Sequence, residues 1–216
     1  MKKLLLLFVI VFISIDIFAA DSTQNYYFVF LRSNPDKAVL PDSAVEALQA
    51  AHMQNIEALY KAGKLVAAGP FDGGGGIFIL KSESLEKSSM DMKSDPAIKA
   101  GRFIVDIHPM EIYKGEICPV GDDYKMVTYK FIEFSPGDII GESCLDEFKT
   151  LLKNFSDQDS TIASFFLTDT RGGILIHTAG NFDEVKRKLD KDVCIANKNF
   201  SYIIKDLWIA KETFCE

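Results

Sequence analysis

The sequence predicts an α+β protein in which one β-α-β-β-α-β unit occurs twice, the two copies closing on each other as an intramolecular dimeric α/β barrel. Three observations predict this. A single ungapped shift of 97 residues superimposes much of the second half on the first. The order of apolar and turn segments is the same in both halves. Several strand segments are apolar on consecutive residues, which marks strands covered on both faces.

The shift carries the run Gly69 to Ile79 onto Phe166 to Ile176, with Asp72 on Asp169 and the last two glycines and the isoleucines in register. It also carries Asp95 onto Asp192, Ile98 onto Ile195, Phe103 onto Phe200, Ile107 onto Ile204, Ile112 onto Ile209 and Cys118 onto Cys215. In the first copy, aromatic and β-branched residues over 26–31 predict a strand. Val45, Leu48, Ile56 and Leu59 fall on one face of a helix over 43–62, with Ser43 as its N-cap and Gly63 as its stop. Strands follow at 65–68 and 77–80, joined through a glycine-rich turn. A shorter helix over 85–92 and a last strand over 102–113 complete the unit. The second copy reads as strand 125–134, helix 144–155, strands 161–168 and 173–178, helix 182–189 and strand 200–213, after a linker at about 116–124. This order is the ferredoxin-like motif, whose sheet carries helices on one face. The bare face needs a cover, and the second sheet supplies it. Two separate beads on one string would leave a large apolar face in water.

The chain opens Met1-Lys2-Lys3, continues with an apolar run from Leu4 to Ile15, and reaches Ala19-Ala20 before polar residues. That pattern reads as a cleaved signal peptide over residues 1–20, too short for a comfortable membrane span. The expected mature protein is therefore periplasmic or secreted. Domains are expected at 21–117 and 118–216. Removing Lys2, Lys3 and Asp16 takes the formal charge from −7 to −8. An acidic balance without a basic cluster argues against nucleic acid, or a membrane surface after signal cleavage, as partner. All four cysteines lie in the second half, and an even number in an exported chain favours disulfides. The two helices of a unit run antiparallel, which places Cys144 near Cys194. Cys118 and Cys215, as repeat equivalents, would meet near the pseudo-twofold axis.

The three histidines, His52, His108 and His177, share no metal-ligand spacing, so no metal or other cofactor is expected. His52 lies four residues from both Leu48 and Ile56, in the middle of the apolar stripe facing the sheet. A histidine there needs a hydrogen-bond partner, and a carboxylate would fix its tautomer. Asp95, in the loop after the second helix, can approach it. One reading makes His52 a general acid or base oriented by Asp95. The other makes it a packing residue and Asp95 the cap of a turn before Pro96. Gly69, Pro70, Asp72 and His108 are the candidate ligand-binding residues. The glycines at 73–76 fit a hairpin turn or a backbone lip beside a ligand. The match of Asp72 to Asp169 favours a turn-forming aspartate. His108 lines the barrel or sits at an edge, and His177 ends a strand with an exposed look.

His52, Gly69-Pro70 before a hairpin, and Asp95-Pro96 followed by Ile98-Lys99-Ala100-Gly101 together resemble the YCII-related family, over about residues 26–115. The resemblance implies a dimeric α/β barrel with His52 and Asp95 as the active-site pair. It also implies cofactor-independent proton transfer on a small organic molecule, since relatives include a dehydrochlorinase and, more distantly, muconolactone isomerases. The second copy departs from the pattern, with Lys149 where His52 would fall and Phe166-Leu167 in place of Gly69-Pro70. It therefore reads as a degenerate copy serving as structural partner. Two functions stay open at this point: a lyase or isomerase with one site per chain, or a non-catalytic binding or scaffold module. The same holds for assembly, as a monomeric pseudo-dimer or a higher homo-oligomer.

Overall fold

The computed structural model describes residues 25–121, 123–180 and 182–215. The expected signal peptide lies outside them. The first unit consists of β1 (Asn25–Ser33), α1 (Asp42–Lys61), β2 (Leu65–Pro70), β3 (Gly76–Ser82), α2 (Leu85–Lys93), a short α3 (Pro96–Lys99) and β4 (Phe103–Lys114). The second consists of β6 (Met126–Pro136), α4 (Glu142–Ser156), β7 (Thr161–Leu167), β8 (Gly173–His177), α5 (Phe182–Lys191), α6 (Val193–Ala196) and β9 (Phe200–Ala210). Between and after them, β5 (Glu116–Ile117) and β10 (Phe214–Cys215) form a small ribbon.

Eight strands make one sheet in the order β2-β3-β1-β4-β7-β8-β6-β9. Its two ends meet through a bridge between Phe71 and Leu207, and the Asp72 N–H donates to the Asp206 carbonyl at 3.0 Å. The sheet is thus closed into a barrel with two seams between the units. At the longer seam Met110 pairs with Leu167, Glu111 with Phe166 and Ile112 with Phe165. Inward residues, among them Phe28, Phe30, Ile77, Ile79, Phe131, Phe165, Ile174 and Ile176, fill the barrel. Tyr27, Val29 and Leu31 alternate with them and face α1 and α2. Strands β1, β3, β7 and β8 are buried from both sides, which is why their sequences are apolar without alternation, whereas β4 and β9 leave Ile104 and Ile203 exposed. Arg32 links the units inside the barrel, donating to Asp106 at 2.6 Å and to the buried Glu133 at 2.5 Å.

The cysteines pair as Cys118–Cys215 and Cys144–Cys194, each with Cα atoms 6.0 Å apart. Two details of the sequence reading need correction, the cap of α1 and the exposure of His177. Helix α1 begins at Asp42 after Pro41 and no side chain caps it, so Ser43 lies inside the helix. Proline at the N-cap sets the chain direction without a capping oxygen. Gly63 does close the helix, at φ +68°. His177 is fully buried, its Nδ1 2.6 Å from the Thr178 carbonyl oxygen, because β8 is a central strand.

The repeat also has an internal step. Gly69 pairs with Ile77 and Pro70 with Gly76, whereas Phe165 pairs with Ile174 and Phe166 with Gly173. The second hairpin is one residue longer, so Gly69-Pro70 correspond to Phe165-Phe166 and not to Phe166-Leu167. At the seams, the Thr168 N–H donates to the Pro109 carbonyl as Asp72 does to Asp206. Thr168 is therefore the counterpart of Asp72, and Asp169 is the extra residue.

Candidate active site

His52 and Asp95 are brought together by two local devices. The apolar stripe of α1 turns His52 inward, where its ring stacks on Phe78 at 6.1 Å and lies 5.7 Å from Phe103. Asp95 is the N-cap of α3: its Oδ1 accepts from the Ala97 and Ile98 N–H groups at 2.8 and 3.1 Å. Its Oδ2 accepts from the Asn55 amide at 3.0 Å and lies 2.8 Å from His52 Nδ1. Ser94 donates its hydroxyl to the Asp91 carbonyl at 2.6 Å, and its Oγ lies 3.1 Å from Asn55 Oδ1. Asp95 is fully buried. Burial alone would raise its carboxyl pKa. The hydrogen bond and charge of His52, with the N–H groups of Ile98 and Ala97, outweigh burial and hold the pKa below its ordinary value. A carboxylate surrounded by donors leaves one role for His52 Nδ1, that of N–H donor. The Nε2 lone pair is then the basic position.

His52 borders a cavity of about 960 Å³ between α1, β2 and the shorter seam. Leu48, Ile56, Phe78, Gly69 and Pro70 line it from the first unit. Val120, Gly121, Tyr124, Met126, Trp208 and Ala210 line it from the linker and the second unit. The Tyr60 hydroxyl donates to the Val120 carbonyl at 2.6 Å, tying the linker to the end of α1. Of the expected ligand-binding residues, Gly69 and Pro70 are at this cavity. Asp72 stands outside it, beside a smaller depression of about 300 Å³ with Thr128, Asp206 and Trp208. His108 is also elsewhere: it packs edge-on against Phe30, with Nδ1 3.0 Å from Asp169 at the longer seam. Both residues answer to seam geometry, which one unit read alone does not reveal.

The glycines have backbone reasons. A Cβ on Gly69 would sit 2.9 Å from Leu207 Cδ1 and from the Trp208 carbonyl oxygen, so the shorter seam requires glycine there. A Cβ on Gly75, at φ +74°, would meet the Leu31 carbonyl oxygen at 2.4 Å. The hairpin reading accounts for these residues without a ligand.

Residues 26–111 match the YCII-related domain model. The first unit is a YCII-related domain. No curated protein matches the chain. Among solved structures, a "putative monooxygenase" from Fusobacterium nucleatum is similar at 10% identity and a TM-score of 0.50, over 87% of this chain and 93% of that one. A second protein of the same description, from Lactobacillus acidophilus NCFM, has 12% identity and a TM-score of 0.45, over 89% and 99%. The Fusobacterium likeness spans both units and supports the whole-chain fold; at such identity it says nothing of activity.

Contacts place Phe148 in the position of His52. Phe148 stacks on Phe200 at 3.9 Å, His52 packs against Phe103 with its ring tilted, and Phe103 and Phe200 are repeat equivalents. Lys149, the residue expected there, lies over the Phe166 ring at 4.7 Å instead. The offset is the same one-residue step seen in the hairpin. Asp192 repeats the capping role of Asp95, accepting from the Cys194 and Ile195 N–H groups. The YCII-related domain differs by adding a histidine to that cap.

Proposed function

We propose that the YCII-related domain is a cofactor-independent lyase or isomerase in which His52 carries a proton for a small organic molecule held in the cavity. The observation that carries this reading is the buried His52–Asp95 pair at the wall of an open apolar cavity. Asp95 keeps the proton on Nδ1, so Nε2 takes a proton from a substrate carbon: the C–H bond breaks, an N–H bond forms, and the electron pair moves into the substrate. In an isomerase the proton returns at another carbon. In a lyase the electron pair expels a leaving group. The imidazolium formed is stabilised by the Asp95 carboxylate. Apolar walls limit water at the reacting atom. The second unit acts as the structural partner that supplies one side of the cavity. The two disulfides fit an exported protein.

The test is a panel of small unsaturated lactones and vicinal chlorides in deuterated water. The expected result is turnover or solvent-deuterium incorporation that falls at least about 100-fold in His52→Gln. The second reading is a non-catalytic binding module, favoured by one observation: Asp95 has a structural duty, the α3 cap, that Asp192 performs without any histidine. Binding without exchange, equal in wild type and His52→Gln, would establish that second reading.

A further inference from the structure

The cavity beneath α1 is not uniform along its length. Helix α1 runs back along the sheet from the end of β1, so its first turns lie beside Ser33 and the 70–76 hairpin. Its last turn lies beside Leu65 and the linker. Two cations line the first end, Lys37 and Arg102. Each is held only by a neutral oxygen: Lys37 Nζ donates to Ser33 Oγ at 2.9 Å, and Arg102 NH1 donates to the Ala38 carbonyl at 2.7 Å. Among the described residues neither makes a salt bridge, although eleven other pairs do. What distinguishes these two cations in a chain of net charge −7 is their place, side by side at one end of an apolar cavity. The one carboxylate lining the cavity, Glu57, is occupied by Lys61 at 2.5 Å. The far end carries Tyr60 and Tyr124, and Trp208 forms part of the wall. The second unit has Asn199 where Arg102 stands.

The geometry points to an amphipathic organic anion as the ligand, its carboxylate held by Lys37 and Arg102 and its apolar or aromatic body lying along the cavity past His52. This inference rests on the reading of the cavity as a ligand site; it does not require that His52 transfer a proton. Arginine offers a planar donor pair to a carboxylate, and lysine adds a second charge. Both are exposed enough to be wet when the cavity is empty, so the ligand displaces water and not an internal partner.

The probes are 4-phenylbutyrate and its uncharged amide, 4-phenylbutyramide, added to the disulfide-bonded chain. Binding is read by calorimetry and by quenching of Trp208, the single tryptophan of the sequence. The acid should bind about tenfold or more tightly than the amide at neutral pH, and added salt should shrink the difference. Lys37→Gln and Arg102→Gln should each reduce the preference, and the double variant should abolish it while amide affinity stays. Arg102→Lys, which keeps the charge, should retain most of it, and with Lys37→Gln it carries the test if Arg102→Gln does not fold. His52→Gln should leave the preference in place. Equal binding of acid and amide, no binding of either, or a preference lost in His52→Gln but kept in the double variant would overturn the proposal. Failure here leaves the proton-transfer reading intact, and absence of turnover leaves the charge preference intact.

Discussion

The two units share a fold and differ in what lies between helix and sheet. In the second, α4 buries Cys144, Leu145, Phe148, Leu152 and Phe155. In the first, α1 buries only His52 and Leu59, and Val45, Met53 and Tyr60 on its flank remain exposed. Three substitutions between equivalent positions explain the contrast. The cavity under α1 is bordered by His52, Pro70 and, from the second unit, Ala210; under α4 the equivalent positions hold Phe148, Phe166 and, from the first unit, Tyr113. Phe166 and Tyr113 stack with their planes 4° apart, and Lys149 and Lys153 lie over their faces. Cys144 and Cys194 then pin α4 to α6. One unit fills its space with rings, and the other leaves it open around the buried, hydrogen-bonded His52–Asp95 pair. A closed barrel tolerates this because the filled unit and the shared interior supply the packing energy.

The comparison can be broken most sharply in the filled unit. Phe148→Ala should cost about 3–5 kcal/mol, since it leaves a void in a close-packed core. Leu48→Ala, on the wall of an existing cavity, should cost about 1 kcal/mol. Chemical denaturation of both variants gives the ratio; similar losses would mean that α1 packs as tightly as α4. Next in size is Asp95→Asn, which should cost about 1–3 kcal/mol by weakening the α3 cap and removing the partner of His52. Its pH dependence has a definite sign. The folded carboxyl pKa is lowered, so its stabilisation is fully present above the ordinary carboxylate pKa and is lost as pH falls through the lowered folded value. The gap between wild type and Asp95→Asn should therefore shrink as the pH falls below about 4. A gap that widened below that pH would contradict the account. The smallest stability effect is expected from copying the filled unit into the open one. Pro70→Phe with Ala210→Tyr should raise stability by about 1 kcal/mol while removing binding of 4-phenylbutyrate. Retained binding would place the ligand elsewhere.

Much of this was legible in the sequence because repeats and periodicity report on local structure and on burial. The order of elements, the approach of Asp95 to His52 and the Cys144–Cys194 pair follow from topology that a single β-α-β-β-α-β unit fixes, while the doubly buried strands and Cys118–Cys215 follow from the pairing of the two copies. The one-residue step between Gly69-Pro70 and Phe165-Phe166 was not legible. An ungapped match is dominated by the later strands, and an extra hairpin residue leaves them unchanged. The open cavity was hidden for a different reason. The stripe Leu48, His52, Ile56, Leu59 reads the same whether the helix rests on the sheet or stands away from it. Trp208, Tyr124 and Val120 belong to the cavity only because the pseudo-twofold brings β9 and the linker to β2. A signal did exist: Pro70 and Ala210 are small where their counterparts Phe166 and Tyr113 are aromatic. Reading it required the register first.

The central claim is that Asp95 sets His52 as a base whose free nitrogen is Nε2. Nitrogen-15 NMR of the histidine side chains at neutral pH measures this directly, because the two neutral tautomers have different shifts. The account predicts that the His52 Nδ1 carries hydrogen in the wild type and that Asp95→Asn removes the preference. A wild-type ring protonated at Nε2 alone, or a tautomer indifferent to Asp95→Asn, would contradict it and leave His52 as a packing residue.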